Sequence, residues 1–336
     1  MSTKNIVLCF PLQEPHVEQI RETSRDDFNV IVSSQESIGR DIFEADIFCG
    51  HAKTPVDWAK VVKQDRLKWI QSSAAGLDHC LAPEVIQSPI VVSGCSALFS
   101  NQVAETTMAL LMGLVRRLSV FFRAQQAREY VRRPTDDLLG KTVAILGFGG
   151  NGQRIAQILR PMVGRIVASD WFPDACKTHV DSGLVDQIFP NQQTEQMLES
   201  ADVVIVTLPL SDANEHSFGD AQFAACKTGV YFVNVGRGSV VQQDALIRSL
   251  QTGHVGAAGL DVADPEPIEP SSLLWEMENV IITPHIGAQS SRRIPVTVDL
   301  FCENLNRYRH GQPPLNLVDK TLGFPRPEHR VDSSWC

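Results

Sequence analysis

The chain has 336 residues, 43% hydrophobic and 21% charged, with a formal net charge of −9. That length suggests about two domains with sizeable cores, and the acidic balance argues against a nucleic-acid or anionic-membrane surface. No apolar run approaches the ~18–20 residues that span a bilayer.

The opening, MSTKNIVLCF, runs straight into a strand pattern and lacks the layout of a signal peptide. The eight cysteines show neither C-x-x-C nor zinc spacing, so we expect reduced thiols in a cytoplasmic protein and no metal site. Residues 5–92 then alternate short apolar runs (5–10, 29–32, 46–49, 67–71, 90–92) with helical patterns such as 16–23 and 55–63. This rhythm predicts a parallel α/β unit. After the 67–71 run come Ser72-Ser73-Ala74-Ala75-Gly76. Small residues there leave backbone N–H groups accessible at the carboxyl end of a strand, where open α/β sheets bind ligands.

Residues 101–123 form the longest helical pattern, apolar nearly all round and so buried on several sides, between domains or between subunits. Residues 124–140 are polar and read as a loop. The stretch 141–170 comes next, KTVAILGFGGNGQRIAQILRPMVGRIVASD. An apolar strand, a G-x-G-x-x-G turn at Gly147, Gly149 and Gly152, an amphipathic helix and a second strand ending at Asp170 stand in register. Gly147 permits the tight turn, Gly149 a close approach of backbone to a pyrophosphate, and Gly152 close packing of helix on strand. The helix start offers N–H groups and a positive dipole end to phosphates. Asp170 sits where an acid bonds both ribose hydroxyls of NAD and repels the 2′-phosphate of NADP.

The α/β rhythm continues at 185–189, 202–207, 230–235, 257–261 and 280–283, which predicts a doubly wound parallel sheet. Residues 291–308 read as one more helix, and the Pro-rich last dozen residues as loosely held.

Three late strand ends carry polar residues: Asn234-Val235-Gly236-Arg237-Gly238-Ser239, residues 261–267 (DVADPEP) and Thr283-Pro284-His285-Ile286-Gly287. Hydride transfer to a 2-oxo acid needs a fixed cation for the carboxylate and carbonyl, suited to a guanidinium fork. It needs a proton donor that titrates near neutrality, and a carboxylate that holds that imidazole and favours its charged form. Arg237, His285 and Glu266 meet these needs. Singly, each has a structural alternative: a packed histidine, an arginine paired with a nearby acid, a surface glutamate among prolines.

On these stretches, together with LKWIQSSAAGLDH, VAETTMALLMGLVRR, VVIVTLPL and LLWEMENVIITPHIG, the chain resembles the D-isomer-specific 2-hydroxyacid dehydrogenases over nearly its whole length. The resemblance implies an NAD-binding Rossmann domain (101–287) inserted into a discontinuous flavodoxin-like substrate domain (1–100 and 288–336). It implies Arg237, Glu266 and His285 as catalytic residues, and a substrate carboxylate bound by Ala75, Gly76 and Arg237. Cofactor contacts are implied at Gly147, Gly149, Gly150, Asn151, Gly152, Asp170, Thr207, Leu208, Pro209, Val235, Gly236, Asp261, His285 and Gly287. The expected protein is a homodimer with helix 101–123 in its interface, acting on a small 2-oxo or 2-hydroxy acid.

Two other activities resemble the same family: an NADH-sensing corepressor, and dehydrogenases of formate or phosphite. There are also departures. Gly150-Asn151 stand where many members have Arg-Ile, Leu98-Phe99-Ser100-Asn101 does not place an Asn as phosphoglycerate-type members do, and the length leaves no room for a C-terminal regulatory domain.

Overall fold

The computed structural model describes residues 4–331 and 335, and the chain divides into two compact units, Met1–Phe99 with Ser290–Cys336, and Ser100–Gln289. In the first unit, β1 (Lys4–Cys9), β2 (Phe28–Val32), β3 (Ile47–Gly50), β4 (Trp69–Ser72) and β5 (Val91–Ser93) form a parallel sheet in the order β2-β1-β3-β4-β5. This is the flavodoxin-type order, in which the strand sequence reverses beside β1. Successive residues of β1 face opposite ways, as a pleat requires. Val7 and Cys9 pack with Phe48, Ile70 and Trp58, while Ile6 and Leu8 pack with Trp69, Val298, Phe301 and Leu305. Those last three lie on the helix Arg293–Arg309. Both ends of the chain therefore build one core, and both sheet faces are covered, which is why the strands read as continuous apolar runs.

A buried polar chain ties the C-terminal segment to this sheet. The Trp69 indole N–H donates to Ser93 Oγ (2.8 Å), Ser93 to Gln71 Oε1 (2.8 Å), Asn304 Nδ2 to the same Gln71 oxygen (2.9 Å), and Leu315 N to Asn304 Oδ1 (2.6 Å). Each group buried here would cost about 1–3 kcal/mol if left unpaired.

The end of the chain differs from the sequence expectation. Val318–Asp319 pairs with Phe324–Pro325, Asn316 N donates to His329 O (2.7 Å), and Val331 N donates to Asn316 Oδ1 (3.0 Å). Residues up to 331 are thus held by the wholly buried Asn316, a long-range partner that a Pro-rich composition does not reveal. The rest of the expected loose segment lies outside the described residues, Trp335 excepted.

In the second unit, β6 (Thr142–Leu146), β7 (Arg165–Asp170), β8 (Gln187–Pro190), β9 (Val203–Val206), β10 (Val230–Asn234), β11 (Val255–Leu260) and β12 (Val280–Ile282) form a seven-stranded parallel sheet, β12-β11-β10-β9-β6-β7-β8. The order reverses between β6 and β9, the switch point at which doubly wound sheets bind nucleotides. Val143 and Ile145 face one core with Ile155 and Leu159, and Ala144 and Leu146 face another with Phe218, Phe223 and Phe232.

The single long helix expected at 101–123 is two helices, Ser100–Val115 and Leu118–Ala127, broken where Arg117 takes a left-handed φ of 52°. Only the first is buried. Its Ala104, Leu110, Leu111 and Leu114 pack within their own unit. The second buries no residue and is pinned by polar bonds, Ser119 Oγ to Glu278 O (2.6 Å) and Arg123 to the carbonyls of Glu276 and Met277 (both 3.0 Å). Apolar periodicity carries across the break because the second helix keeps Leu118 and Phe122, which the fold leaves exposed at 38% and 58%. No helix among the described residues is long and apolar enough to cross a membrane.

Candidate active site

In the first unit, the turn after β4 is built around Ser72. Its hydroxyl donates to Ala74 O (3.1 Å) and accepts from Ala74 N (3.0 Å), while Ser73 N donates to Gly50 O (3.1 Å) and Cys95 N to Ala74 O (3.0 Å). The turn is thereby fixed, yet the N–H groups of Ala75 and Gly76 make no hydrogen bond among the described residues. Two adjacent open amides suit a carboxylate. Beside them the rings of His51 and His79 stack at 3.9 Å, and His79 Nε2 lies 3.4 Å from Ser72 Oγ. No local sequence pattern signals this pair, because it joins turns far apart in the chain.

In the second unit, β6 ends in the glycine turn. Gly147 has φ +90°, a conformation that L side chains rarely adopt, and a Cβ on Gly152 would lie 2.2 Å from the Gly147 carbonyl oxygen. Both glycines serve the chain's own packing. Gly149 does not: its φ is −75°, and a Cβ there would meet nothing within 4 Å. Its missing side chain leaves space for something outside the chain. Gly150, Asn151 and Gly152 open the helix Gly150–Leu159, so their N–H groups have no partner within that helix.

Asp170 ends β7 and is only 6% exposed. One carboxylate oxygen accepts from Phe148 N (3.0 Å), inside the glycine turn, and the other from Phe172 N (2.8 Å). The acid therefore braces the glycine turn and the start of the segment that follows β7. Thr207 locks the neighbouring strand end, its hydroxyl donating to Gly147 O (2.7 Å). Leu208 is next, with a Cβ on Gly236 falling 2.6 Å from its carbonyl oxygen. Pro209 O accepts from Asn214 Nδ2 (2.6 Å), and Val235 is 7% exposed with its N–H on Val206 O (3.0 Å).

The three polar turns at the ends of β10, β11 and β12 come together. Asn234, buried, accepts from Gly236 N (3.0 Å) and donates to Arg237 O (3.1 Å), which shapes the backbone under Arg237. The Arg237 guanidinium donates to Gly236 O (2.8 Å). A Cβ on Gly238 would fall 1.8 Å from Ala263 O, so the Arg237 turn lies directly against the turn that carries Glu266. Asp261, 2% exposed, accepts from Thr283 Oγ1 (2.7 Å), Ile286 N (2.9 Å) and Gly287 N (2.8 Å), fastening the third turn. At its centre His285 has φ +53°, a costly conformation for a side-chain-bearing residue, and His285 Nδ1 bonds Glu266 Oε1 at 2.7 Å. With Nδ1 turned to the carboxylate, Nε2 is left outward and makes no hydrogen bond among the described residues.

Asn234 and Gly238 stand out in the sequence only as parts of a polar stretch. An Asn two residues before a Gly at a strand end is an Asx-turn signal that could have marked the first. No group of three or more His, Cys, Asp or Glu among the described residues could hold a metal ion.

A glycine turn on a central parallel strand, with a carboxylate-held imidazole at the same sheet edge, defines a dinucleotide-binding oxidoreductase. Residues 108–287 match the family model described as "D-isomer specific 2-hydroxyacid dehydrogenase, NAD binding domain", and the chain belongs to that family. It is 32% identical over 271 residues to a glyoxylate/hydroxypyruvate reductase B of Klebsiella pneumoniae subsp. pneumoniae, covering 79% of this chain and 82% of that one. A D-isomer specific 2-hydroxyacid dehydrogenase family protein of Aeromonas salmonicida has a similar structure, with a TM-score of 0.78 and 27% identity over 95% of this chain and 100% of that one. A D-isomer specific 2-hydroxyacid dehydrogenase of Xanthobacter autotrophicus, solved with NADPH and MES, shares the fold at TM-score 0.80 and 23% identity, covering 96% of this chain and 100% of that one.

Proposed function

We propose that this protein is an NADH-dependent reductase of a small 2-oxo acid, with glyoxylate or hydroxypyruvate as the first substrates to test. The observation that carries the proposal is the 2.7 Å bond between His285 Nδ1 and Glu266, with Nε2 outward at the edge of the sheet that holds the glycine turn. Gly149 and the amides of residues 150–152 would hold the pyrophosphate, and Asp170 the adenosine ribose. When bound, the dinucleotide supplies the hydride.

The chain's own residues do the rest. Arg237 holds the substrate carboxylate and polarises its carbonyl. His285 Nε2 delivers a proton to the carbonyl oxygen as charge develops there. Glu266 keeps the imidazole upright and, being anionic, favours its protonated form. The open amides of Ala75 and Gly76 supply a carboxylate site in their own unit.

The choice of NADH over NADPH is supported by Asp170 and by the segment just after it. Residues 171–176 contain neither Lys nor Arg, and Lys177 is paired with Asp174 at 2.8 Å. Residues 171–176 themselves supply no cation for a 2′-phosphate. A homodimer is supported by the exposed apolar side chains of Phe122, Tyr130 and Leu139, and sedimentation velocity tests it.

A panel of 2-oxo acids with NADH and with NADPH, followed by loss of reduced-nucleotide absorbance, tests the function. Turnover of glyoxylate or hydroxypyruvate with a preference for NADH is expected. Absence of turnover on every 2-oxo acid overturns the reading.

A further inference from the structure

Resting on that catalytic reading, we infer that His216 is a positioning residue that fastens the turn carrying Glu266 to the turn carrying Arg237. His216 lies in the segment after β9, far from the three polar turns in sequence. Its backbone is left-handed, with φ +51°. Its N–H donates to Ser239 O at 2.7 Å, two residues past Arg237, and its carbonyl accepts from Gln242 Nε2 at 2.8 Å. Its imidazole Nε2 bonds Asp264 Oδ2 at 2.7 Å, two residues before Glu266. One residue therefore grips both turns, by its main chain on one side and its ring on the other.

The Glu266 turn needs such a grip. Glu266 stands between Pro265 and Pro267, which carry no N–H. Of the two amides left in residues 264–267, Asp264 N reaches Gln243 Oε1 only at 3.4 Å, and Glu266 N has no partner among the described residues. The Glu266 side chain is 43% exposed, and His285 is its one hydrogen-bond partner among the described residues. Packing does not hold it, so its direction follows the backbone, and the firmest polar anchor of that backbone is Asp264 on His216. The segment bearing His216 is itself braced: Ser211 N donates to Asn214 Oδ1 (2.8 Å) and Phe218 N to Val240 O (3.0 Å).

The test compares His216→Phe, which keeps a ring of similar size without the bond, with His216→Gln, whose amide N–H can still reach Asp264. His216→Phe should lower kcat about 10- to 100-fold, the order of loss that a misplaced catalytic group produces. KM for the 2-oxo acid and affinity for NADH should stay within about twofold, as expected of a residue that acts only through Glu266, and His216→Gln should recover most of the rate. In a Glu266→Ala background, His216→Phe should cost almost nothing further, since a residue acting through Glu266 has nothing left to position. An independent readout is the His285 Nδ1–H proton resonance, which reports the Glu266 contact without substrate and should weaken or shift in His216→Phe alone.

Undiminished kcat in His216→Phe, an unchanged His285 resonance, or an equal loss in the Glu266→Ala background would overturn the inference. So would a loss that the Gln variant does not recover and that tracks a falling melting temperature. A wild-type protein inactive on every 2-oxo acid would sink the catalytic reading instead, and the resonance would still decide whether His216 sets the Glu266 contact.

Discussion

Glu266 Oε1 and His285 Nδ1 lie 2.7 Å apart, although 19 residues of chain separate them. Both side chains are more than two-fifths exposed, so the bond is not enforced by burial. It depends on the turns beneath, one held by Asp261 and the other packed on Gly238. If the imidazole delivers the proton, His285→Ala should reduce kcat by about 10²–10⁴-fold. Glu266→Gln, which keeps shape but loses charge, should cost at least about 10-fold. Steady-state assays with a 2-oxo acid and NADH check both, and NADH affinity by fluorescence titration should be unchanged in each.

Gly149 and Gly152 of the glycine turn should fail in different ways. Gly152→Ala drives a Cβ to 2.2 Å from the Gly147 carbonyl, backbone that cannot yield cheaply. We expect a lowered melting temperature, with a cost on the order of 1–3 kcal/mol. Gly149→Ala adds a Cβ that meets nothing within 4 Å and should melt near the wild type, while losing NADH affinity by about 10-fold or more, on the order of a lost phosphate contact. Equal melting curves for the two variants would contradict the distinction.

Asp170→Ala removes the acceptor for Phe148 N and Phe172 N and, on the proposed reading, the acid that meets the adenosine ribose. The proposed preference for NADH over NADPH should narrow, chiefly through a higher KM for NADH. Asp170→Asn should keep more of the turn, since its side-chain oxygen can still accept one of the two amides. The ratio of kcat/KM values for the two nucleotides measures this.

Acid should weaken the fold through particular carboxylates. Burial pushes the Asp202 carboxyl upward, but the Thr142 N–H at 2.8 Å and Lys227 at 2.9 Å outweigh it, and its pKa lies below the ordinary aspartate value. Asp186 behaves likewise, burial being outweighed by Ile166 N–H and Arg160. A depressed folded-state pKa gives stability that is fully present above the unfolded value, about 3.9, and is lost as pH falls through the folded value. The urea midpoint of the wild type should therefore fall steeply below about pH 4. Asp202→Asn should be less stable near neutrality and show a shallower acid limb.

The thiols of Cys80 and Cys95 should be silent in the native protein. Burial pushes Cys80 and Cys95 up to about 12, so neither offers a thiolate near neutrality. Mass spectrometry after brief treatment with iodoacetamide should find both unmodified until denaturant is added.

Local chemistry was legible from the chain alone wherever a single segment holds the whole signal. The turn at 147–152 and the acid ending β7 are written within about thirty residues, because strand, glycines and helix obey short-range sterics. The strands were legible for the same reason: sheets covered on both faces demand continuous apolar runs. The paired and tied ends were not. The break at Arg117 leaves the apolar pattern running on, and Asn316 grips the final residues through bonds that composition does not carry. The pairing of Glu266 with His285 was expected from their chemistry and from the family resemblance, and the structure gave its geometry; only the tertiary structure put Gly238 on Ala263 and His216 on Asp264. Each of these contacts joins separate turns, and which turns meet is set by the order of strands in the sheet, a property of the folded chain that no single stretch of sequence contains.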